Sequence, residues 1–127
     1  MKRTIKITDE LIENYAAASN DMNPIHLDKH AAKTAGFSDK VAHGMLSMAI
    51  AARFVSPLQQ EGWLVTWYKM KFTSPLFVHD TLYLQAETTI NDMATKIIQL
   101  KGANQHETKI INGKIELKYV WDLQNKR

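Results

Sequence analysis

The 127-residue sequence contains no cysteine. Disulfide bonds, thiolate metal ligands and a cysteine nucleophile are therefore excluded. The sequence also has no apolar run approaching the roughly 20 residues that a membrane-spanning helix needs. The N-terminal run from Met1 to Ile5 is basic but lacks the apolar stretch of a signal peptide. We therefore expect a cytoplasmic protein without a membrane partner.

Blocks of five or more like charges are absent too, and the net charge is only +3. The lysines are spread along the chain, and neither a zinc-finger spacing nor an aromatic RNA-binding strand accompanies them. A small positive balance also suits a phosphorylated small ligand. We interpret most lysines as a solvated surface and expect no nucleic-acid partner.

Three helices are predicted in the first half of the chain. The first is capped by Thr8 and ends near Ala18, and the second covers Lys29–Ala35. The third, Met45–Val55, is apolar at nine of its eleven positions and is ended by Ser56-Pro57. A helix that is apolar nearly all round is a buried one. We therefore expect Met45–Val55 at the centre of the molecule.

The second half of the chain alternates with a period of two, which predicts strands. In the first of them, Leu64 is expected to share a face with Met70. Gly113 lies inside the last strand, where a glycine suggests a bulge or the close approach of another element. A short strand is also predicted near the N-terminus. The predicted strands are Arg3–Ile7, Trp63–Phe72, Thr81–Ile90, Thr95–Lys101 and Thr108–Trp121.

Helices grouped before a run of strands indicate an α+β fold with an antiparallel sheet. The length suits a single domain over residues 1–127. A curved antiparallel sheet can wrap one central apolar helix and bury it on most sides, which describes a hot-dog fold. The polar tail, Asp122–Arg127, is expected to fray.

A polar stretch after the first helix carries the candidate chemistry. Ser19–His26 reads Ser-Asn-Asp-Met-Asn-Pro-Ile-His, and Pro24 argues for a stiff loop rather than helix interior. An imidazole beside a carboxylate, here His26 and Asp21, can accept and return a proton near neutral pH. Asn23 lies between them and can orient the pair or a water molecule.

His43 and Gly44 form a second candidate element, because they begin the predicted buried helix. The first N–H groups of a helix have no partner within it, so they can polarise a carbonyl oxygen and stabilise an enolate-like charge. An acid/base pair facing such donors suits proton transfer next to a carbonyl. We therefore consider both residues candidates for orienting substrate or water.

Simpler interpretations exist for each residue. Asp21 and Asn23 can form an Asx turn beside Pro24, and His26 can be a hydrogen-bonded structural histidine. A zinc site built from His26 and His30 has no evident third ligand, so no metal site is expected.

The combination of motifs resembles the MaoC-like (R)-specific enoyl-CoA hydratases and dehydratases. Tyr15–His26 is similar to a segment ending in the family's Ser-Gly-Asp-x-Asn-Pro-x-His signature, Val41–Met45 carries its His-Gly-Met, and Pro75–Asp80 resembles its Pro-Val-x-x-Gly-Asp turn. The resemblance implies a hot-dog fold and dimers whose two sheets join. It also implies acyl-CoA or acyl-carrier-protein thioester substrates, and neither a metal nor a prosthetic group.

By this resemblance, Asp21 and His26 would be the catalytic pair of a hydro-lyase. They would add water reversibly across a trans-2-enoyl thioester to give an (R)-3-hydroxyacyl thioester. Asn23 would orient the pair or the water, and the N–H of Gly44 would bond the thioester carbonyl. Two alternatives are a hot-dog thioesterase, which would use a carboxylate on or near the central helix, and a non-catalytic acyl-thioester-binding subunit.

Three positions depart from the family pattern. Asn20 replaces the glycine of the signature and His79 replaces the glycine of the later turn. Both replacements matter if those positions need a positive φ. Ala52 stands where family hydratases often carry a serine on the central helix, and Ser47 lies earlier on that helix.

Overall fold

Within residues 1–121, one antiparallel sheet and a series of short helices build the fold. The computed structural model describes residues 1–121. The sheet order is β1-β3-β4-β5-β2, and every neighbouring pair is antiparallel. The α+β class with an antiparallel sheet is therefore confirmed. The elements are β1 Lys2–Lys6, α1 Asp9–Ser19, α2 Pro24–Leu27, α3 Lys29–Thr34, α4 Gly44–Ala51, a 3₁₀ turn Ala52–Phe54, α5 Ser56–Gln60, β2 Trp63–Phe72, β3 Thr81–Asn91, β4 Thr95–Ala103 and β5 Lys109–Tyr119.

The core is a single cluster in which α4 packs on one face of the sheet. Leu46 and Ile50 of α4 belong to the same buried cluster as Leu84, Leu100 and Leu117 from three adjoining strands. Burying each such side chain contributes about 1.5–3 kcal/mol. The predicted central helix is therefore present and packs on the sheet, but it is not buried all round, because Met45 is 53% exposed and Ala49 is exposed as well.

That central helix is shorter than predicted. α4 ends at Ala51 and passes into the 3₁₀ turn. The Ser56-Pro57 pair does not simply stop a helix, because α5 begins there. Proline lacks an N–H, but the first turn of a helix does not need one, so a residue that ends one helix can start the next. Within residues 1–121, no helix is long and apolar enough to cross a bilayer.

Pro24 likewise starts a helix, in the stretch that was predicted to be a loop. It begins the one-turn helix α2, and Asn23 caps that helix by accepting a hydrogen bond from the Ile25 N–H at 3.2 Å. Asn23 itself stays outside the helical region, with φ −56° and ψ 128°, as expected for a residue before proline. The loop prediction is therefore wrong for residues 24–26, which belong to α2. As a result, His26 sits on a helical turn.

Bulges change which side chains face the core. β2 is irregular between Val65 and Trp67. Leu64, predicted to share a face with Met70, is 49% exposed, whereas Met70 and Val65 pack on the core. An extra residue shifts the alternation of a strand from one face to the other. A similar irregularity in β3 leaves Ile90 exposed.

Strand β2 closely approaches Gly113 inside β5, as predicted. A Cβ on Gly113 would lie 2.3 Å from the Lys69 carbonyl oxygen and 2.3 Å from the Met70 sulfur, both in the neighbouring strand β2. β4 is longer than the predicted Thr95–Lys101 and runs through Gly102 to Ala103. The predicted frayed tail lies outside the described residues.

Two departures from the family pattern fall where the backbone is left-handed. Asn20 has φ 59° and ends α1, and His79 has φ 72°. Glycine adopts such angles without penalty, asparagine tolerates them, and other residues lose about 1–2 kcal/mol. The His79 N–H donates to the Ile7 carbonyl at 2.6 Å, which anchors the strained turn to the chain entering α1.

An ion pair joins α1 to the segment that leads to the site. Lys40 donates to the Asp9 carboxylate. This hydrogen bond lowers the pKa of Asp9 and raises the pKa of Lys40. The residue after Lys40 is Val41, whose backbone carbonyl contacts the ring of His26.

Candidate active site

The backbone around Val41 sets the orientation of the His26 ring. Nδ1 of His26 lies 2.6 Å from the Val41 carbonyl oxygen, and the Val41 N–H donates back to the Ile25 carbonyl at 3.2 Å. A carbonyl oxygen can only accept, so Nδ1 carries the hydrogen. In the neutral ring, Nε2 therefore keeps its lone pair. The side chain is 10% exposed, so this nitrogen is the reactive end of a largely buried ring.

Asp21 presents a carboxylate oxygen to that nitrogen. Oδ2 lies 3.9 Å from Nε2 of His26, while Oδ1 accepts from the Asn23 N–H at 3.3 Å. The Asx turn that the sequence allowed is thus present together with the acid/base pair. A separation of 3.9 Å is too long for a hydrogen bond, but an oxygen atom about 2.8 Å from each partner can bond to both. The arrangement suits a water molecule held between base and acid.

His43 contacts both members of the pair. Its Nε2 lies 3.0 Å from the backbone carbonyl oxygen of Asp21. Its ring stacks on the ring of His26, with centroids 3.6 Å apart and planes 23° apart. The edge contact with Tyr15 has a centroid distance of 4.9 Å. His43 is buried, with 3% of its surface exposed.

Gly44 begins α4 and faces the same cleft. The Leu46 N–H donates to the His43 carbonyl at 3.0 Å, so the N–H of Gly44 precedes the first hydrogen bond of the helix and is free for a ligand. A Cβ on Gly44 would lie 3.8 Å from the Phe72 ring, an ordinary contact. The lack of a side chain therefore keeps the approach to the N–H open without being required by packing.

The cleft encloses about 220 Å³ and gathers four of the five predicted site residues. Asn23 does not line it, since its side chain caps α2. Sequence reasoning missed Tyr15, which lines the cleft but was hidden in the apolar stripe of α1. It also missed Val41, which acts through a backbone carbonyl that no sequence pattern reveals. The lining residues are Tyr15, Ser19, Asp21, His26, His43, Gly44 and Met45.

Three side chains of the cleft offer metal-ligating atoms within 4.8 Å of one another, namely Asp21, His26 and His43. Their geometry does not fit one ion. An imidazole directs its lone pair within the ring plane, and these two rings are stacked nearly parallel at 3.6 Å. Both planes cannot contain one ion at about 2.0–2.1 Å from each nitrogen. The cluster is better suited to proton transfer.

Two apolar cavities flank the cleft. One, of about 300 Å³, shares Tyr15 and Met45 with it and is lined farther along by Ala52. The other, of about 370 Å³, shares His26, His43 and Gly44 with the cleft and contains Ser47. Ser47 and Ala52 therefore line different cavities. The Ser47 hydroxyl does not replace the serine that family hydratases carry at the position of Ala52.

The fold and the site together define a hot-dog protein in which Asp21 and His26 face the N-terminus of the central helix. The chain belongs to the MaoC-like domain family, whose family model matches residues 1–110. Family and fold were both predicted from the sequence and are confirmed.

Relatives of established name share this family. The mitochondrial 3-hydroxyacyl-[acyl-carrier-protein] dehydratase of Arabidopsis thaliana is 28% identical over 118 residues, which cover 89% of this chain and 70% of that protein. The (R)-specific enoyl-CoA hydratase of Aeromonas caviae is 31% identical over 97 residues, which cover 70% and 72%. The solved structure of an R-hydratase from Pseudomonas aeruginosa, in its unliganded form, superposes with a TM-score of 0.83. Its identity is 29%, and the match covers 94% of this chain and 78% of that one.

Proposed function

We propose that this protein is a hydro-lyase that reversibly hydrates trans-2-enoyl thioesters of CoA or acyl-carrier protein to (R)-3-hydroxyacyl thioesters. The observation that carries the proposal is the convergence of Nε2 of His26, Oδ2 of Asp21 and the N–H of Gly44 on one cleft. The relatives support it, because both curated proteins are named for this hydration or its reverse.

The chemistry follows from the positions of these groups. A water molecule bonded to His26 and Asp21 gives a proton to the pair as its oxygen adds to the β-carbon. The electrons of the double bond move toward the thioester oxygen, which the N–H of Gly44 stabilises. The pair then returns one proton to the α-carbon. Dehydration is the same sequence in reverse.

Asn23 contributes indirectly in this proposal. Its N–H holds Oδ1 of Asp21, which leaves Oδ2 for the water. Its side chain caps α2 and thereby supports the turn that carries His26. The reaction needs a base, an acid and an oxyanion donor, and side chains and backbone supply all three, so the proposed reaction uses no cofactor.

A homodimer is part of the proposal. β2 lies at one edge of the sheet, and no other strand within residues 1–121 pairs with its outer side. The strand exposes four large apolar side chains, each 45–54% accessible: Leu64, Trp67, Tyr68 and Phe72. An open edge of this kind favours pairing with another strand. A second copy added at β2 would extend the sheet and cover these side chains, as the family resemblance implies.

We also propose that residues 1–127 form one MaoC-like domain. The core shared by α4 and the sheet supports this view. The cytoplasmic location stays a prediction.

The experiment is hydration of crotonyl-CoA, measured by loss of the enoyl-thioester absorbance, followed by longer acyl chains and carrier-protein thioesters. Asp21→Asn and His26→Ala are each expected to lower kcat at least about 100-fold, as loss of general acid–base catalysis does. His106→Ala, in the exposed turn between β4 and β5, is the matched control and should keep full activity.

Three outcomes would contradict the proposal. Full activity in both site variants would remove the catalytic assignment. Release of free thiol, without hydration, would indicate a thioesterase. Tight acyl-CoA binding without turnover would indicate a binding subunit.

A further inference from the structure

His43 contacts the proposed catalytic pair from two directions but is not one of its acid/base groups. We infer that His43 is a positioning residue that holds Asp21 and His26 in their mutual orientation. The inference deepens the proposed hydratase function and rests on it.

The first contact fixes the backbone of Asp21. Since a carbonyl oxygen only accepts, the 3.0 Å contact means that Nε2 of His43 donates its hydrogen to the Asp21 carbonyl. Two other hydrogen bonds of Asp21 are local and long: its N–H donates to the Ser19 hydroxyl, and its Oδ1 accepts from the Asn23 N–H, both at 3.3 Å and exposed. The bond from His43 spans 22 residues of sequence and is partly buried. It therefore ties the turn to the start of α4.

The second contact fixes the plane of the His26 ring. The bond from Nδ1 to the Val41 carbonyl holds one point of that ring but leaves it free to tilt. The face of His43 lies parallel to it at 3.6 Å and blocks the tilt. Tyr15 in turn supports His43 by an edge contact at 4.9 Å. Tyr15, His43 and His26 thus form a row of contacting rings that runs from α1 to the reactive nitrogen.

A buried polar atom supports a functional role. With the hydrogen on Nε2, Nδ1 of His43 is an acceptor, and it is buried without a hydrogen-bond partner among the described residues. Leaving a buried acceptor unpaired is unfavourable, and such atoms are rare in folded proteins. An apolar ring would pack there without that cost. The imidazole therefore has a role beyond packing, and among residues 1–121 the one hydrogen-bond partner of its side chain is the Asp21 carbonyl.

The consequence for rate follows from the geometry of proton transfer. The water molecule must meet Nε2 of His26 and Oδ2 of Asp21 together, so a shift of either group misaligns the reacting atoms. A displacement of about 1 Å costs on the order of 100-fold in rate. Binding of the thioester is not affected in the same way, because His43 does not hold the substrate. The expected signature is a lower kcat with little change in KM.

Three substitutions separate the two contacts. His43→Phe keeps an aromatic face and loses the donor, His43→Gln keeps a donor and loses the ring, and His43→Ala loses both. We expect kcat for crotonyl-CoA to fall about 100-fold in the alanine variant and by smaller factors in the other two, with KM within a factor of about 2 in all three. The alanine loss should approach the product of the two partial losses. His106→Ala is again the control.

Thermal unfolding shows whether each variant is folded at the assay temperature. The carbonyl carbon chemical shift of Asp21 gives a readout independent of activity, because that oxygen accepts the bond from His43: the shift should change when the donor is lost, in His43→Phe, and stay near the wild-type value in His43→Gln. If the alanine variant does not fold, the phenylalanine and glutamine variants carry the test.

The outcomes distinguish this inference from the proposed function. If the wild-type protein hydrates no enoyl thioester, the proposed function fails. If the wild-type protein is active and the folded variants keep its kcat, the positioning role is wrong. If KM rises while kcat stays unchanged, His43 holds the substrate instead, and the inference is overturned.

Discussion

Gly113→Ala tests how closely β2 and β5 approach each other. A Cβ at this position would lie 2.3 Å from the carbonyl oxygen of Lys69, and real Cβ atoms essentially never come within 3.0 Å of another heavy atom. The two strands must therefore separate by at least about 0.7 Å, the difference between these distances. The carbonyl belongs to the backbone of β2, whose residue Lys69 pairs with Lys114 of β5. A side-chain rotation cannot relieve the contact.

The expected loss of stability in Gly113→Ala is the balance of two opposing effects. Forcing an extra carbon into a packed region costs typically about 1–3 kcal/mol, and this site lies at the upper end because backbone must move. Alanine recovers about 0.5–1 kcal/mol through the lower entropy of its unfolded chain. The net loss is about 2 kcal/mol. For a chain of this length, that corresponds to a fall in Tm of about 8 °C.

The assay is thermal unfolding followed by circular dichroism, with Gly44→Ala as the matched control. The nearest atoms to a Cβ on Gly44 are 3.8 Å away, so this variant keeps the entropy gain without a clash and its Tm should not fall, with a rise of up to about 4 °C. A Gly113→Ala protein whose Tm does not fall below the wild-type value would refute the close approach of the two strands.

Two further predictions concern assembly and strain. Light scattering at micromolar concentration should give twice the mass of one chain, because β2 has an open edge with exposed apolar side chains; a monomer would contradict the proposed dimer. His79→Gly should raise the free energy of unfolding by about 0.5–1 kcal/mol, since it removes the left-handed penalty at φ 72° and loses part of the gain to chain entropy. His79→Ala keeps the penalty and should bring no gain in a urea titration, and an equal gain in both variants would show that the backbone angle is not the cause.

Local sequence was sufficient for the polar core of the site. Asp21 and His26 lie within six residues, so a rigid turn brings them near each other in almost any fold that keeps the turn. Pro24 made that turn stiff. The sequence did not show whether Pro24 ends a helix or begins one, because proline does both. Here it begins α2.

The class of fold was also readable from the sequence. Periods of 3.6 and 2 residues report local backbone geometry, and nine apolar residues out of eleven favour a position at the core for that helix wherever it lies. Bulges do not appear in such patterns. The irregularity near Val65 moves Leu64 to the surface through a pairing with β5, and that pairing depends on residues far away in the chain.

The sequence by itself determined the α+β class, the central apolar helix and the Asp21–His26 pair, since each depends on neighbours along the chain. Only the tertiary structure decided that His43 stacks on His26, that the Val41 carbonyl fixes the tautomer of the His26 ring, and that Asn23 serves as a cap. The physical reason is that a ring plane, a tautomer and an open helix end are set by partners brought together only when the chain folds.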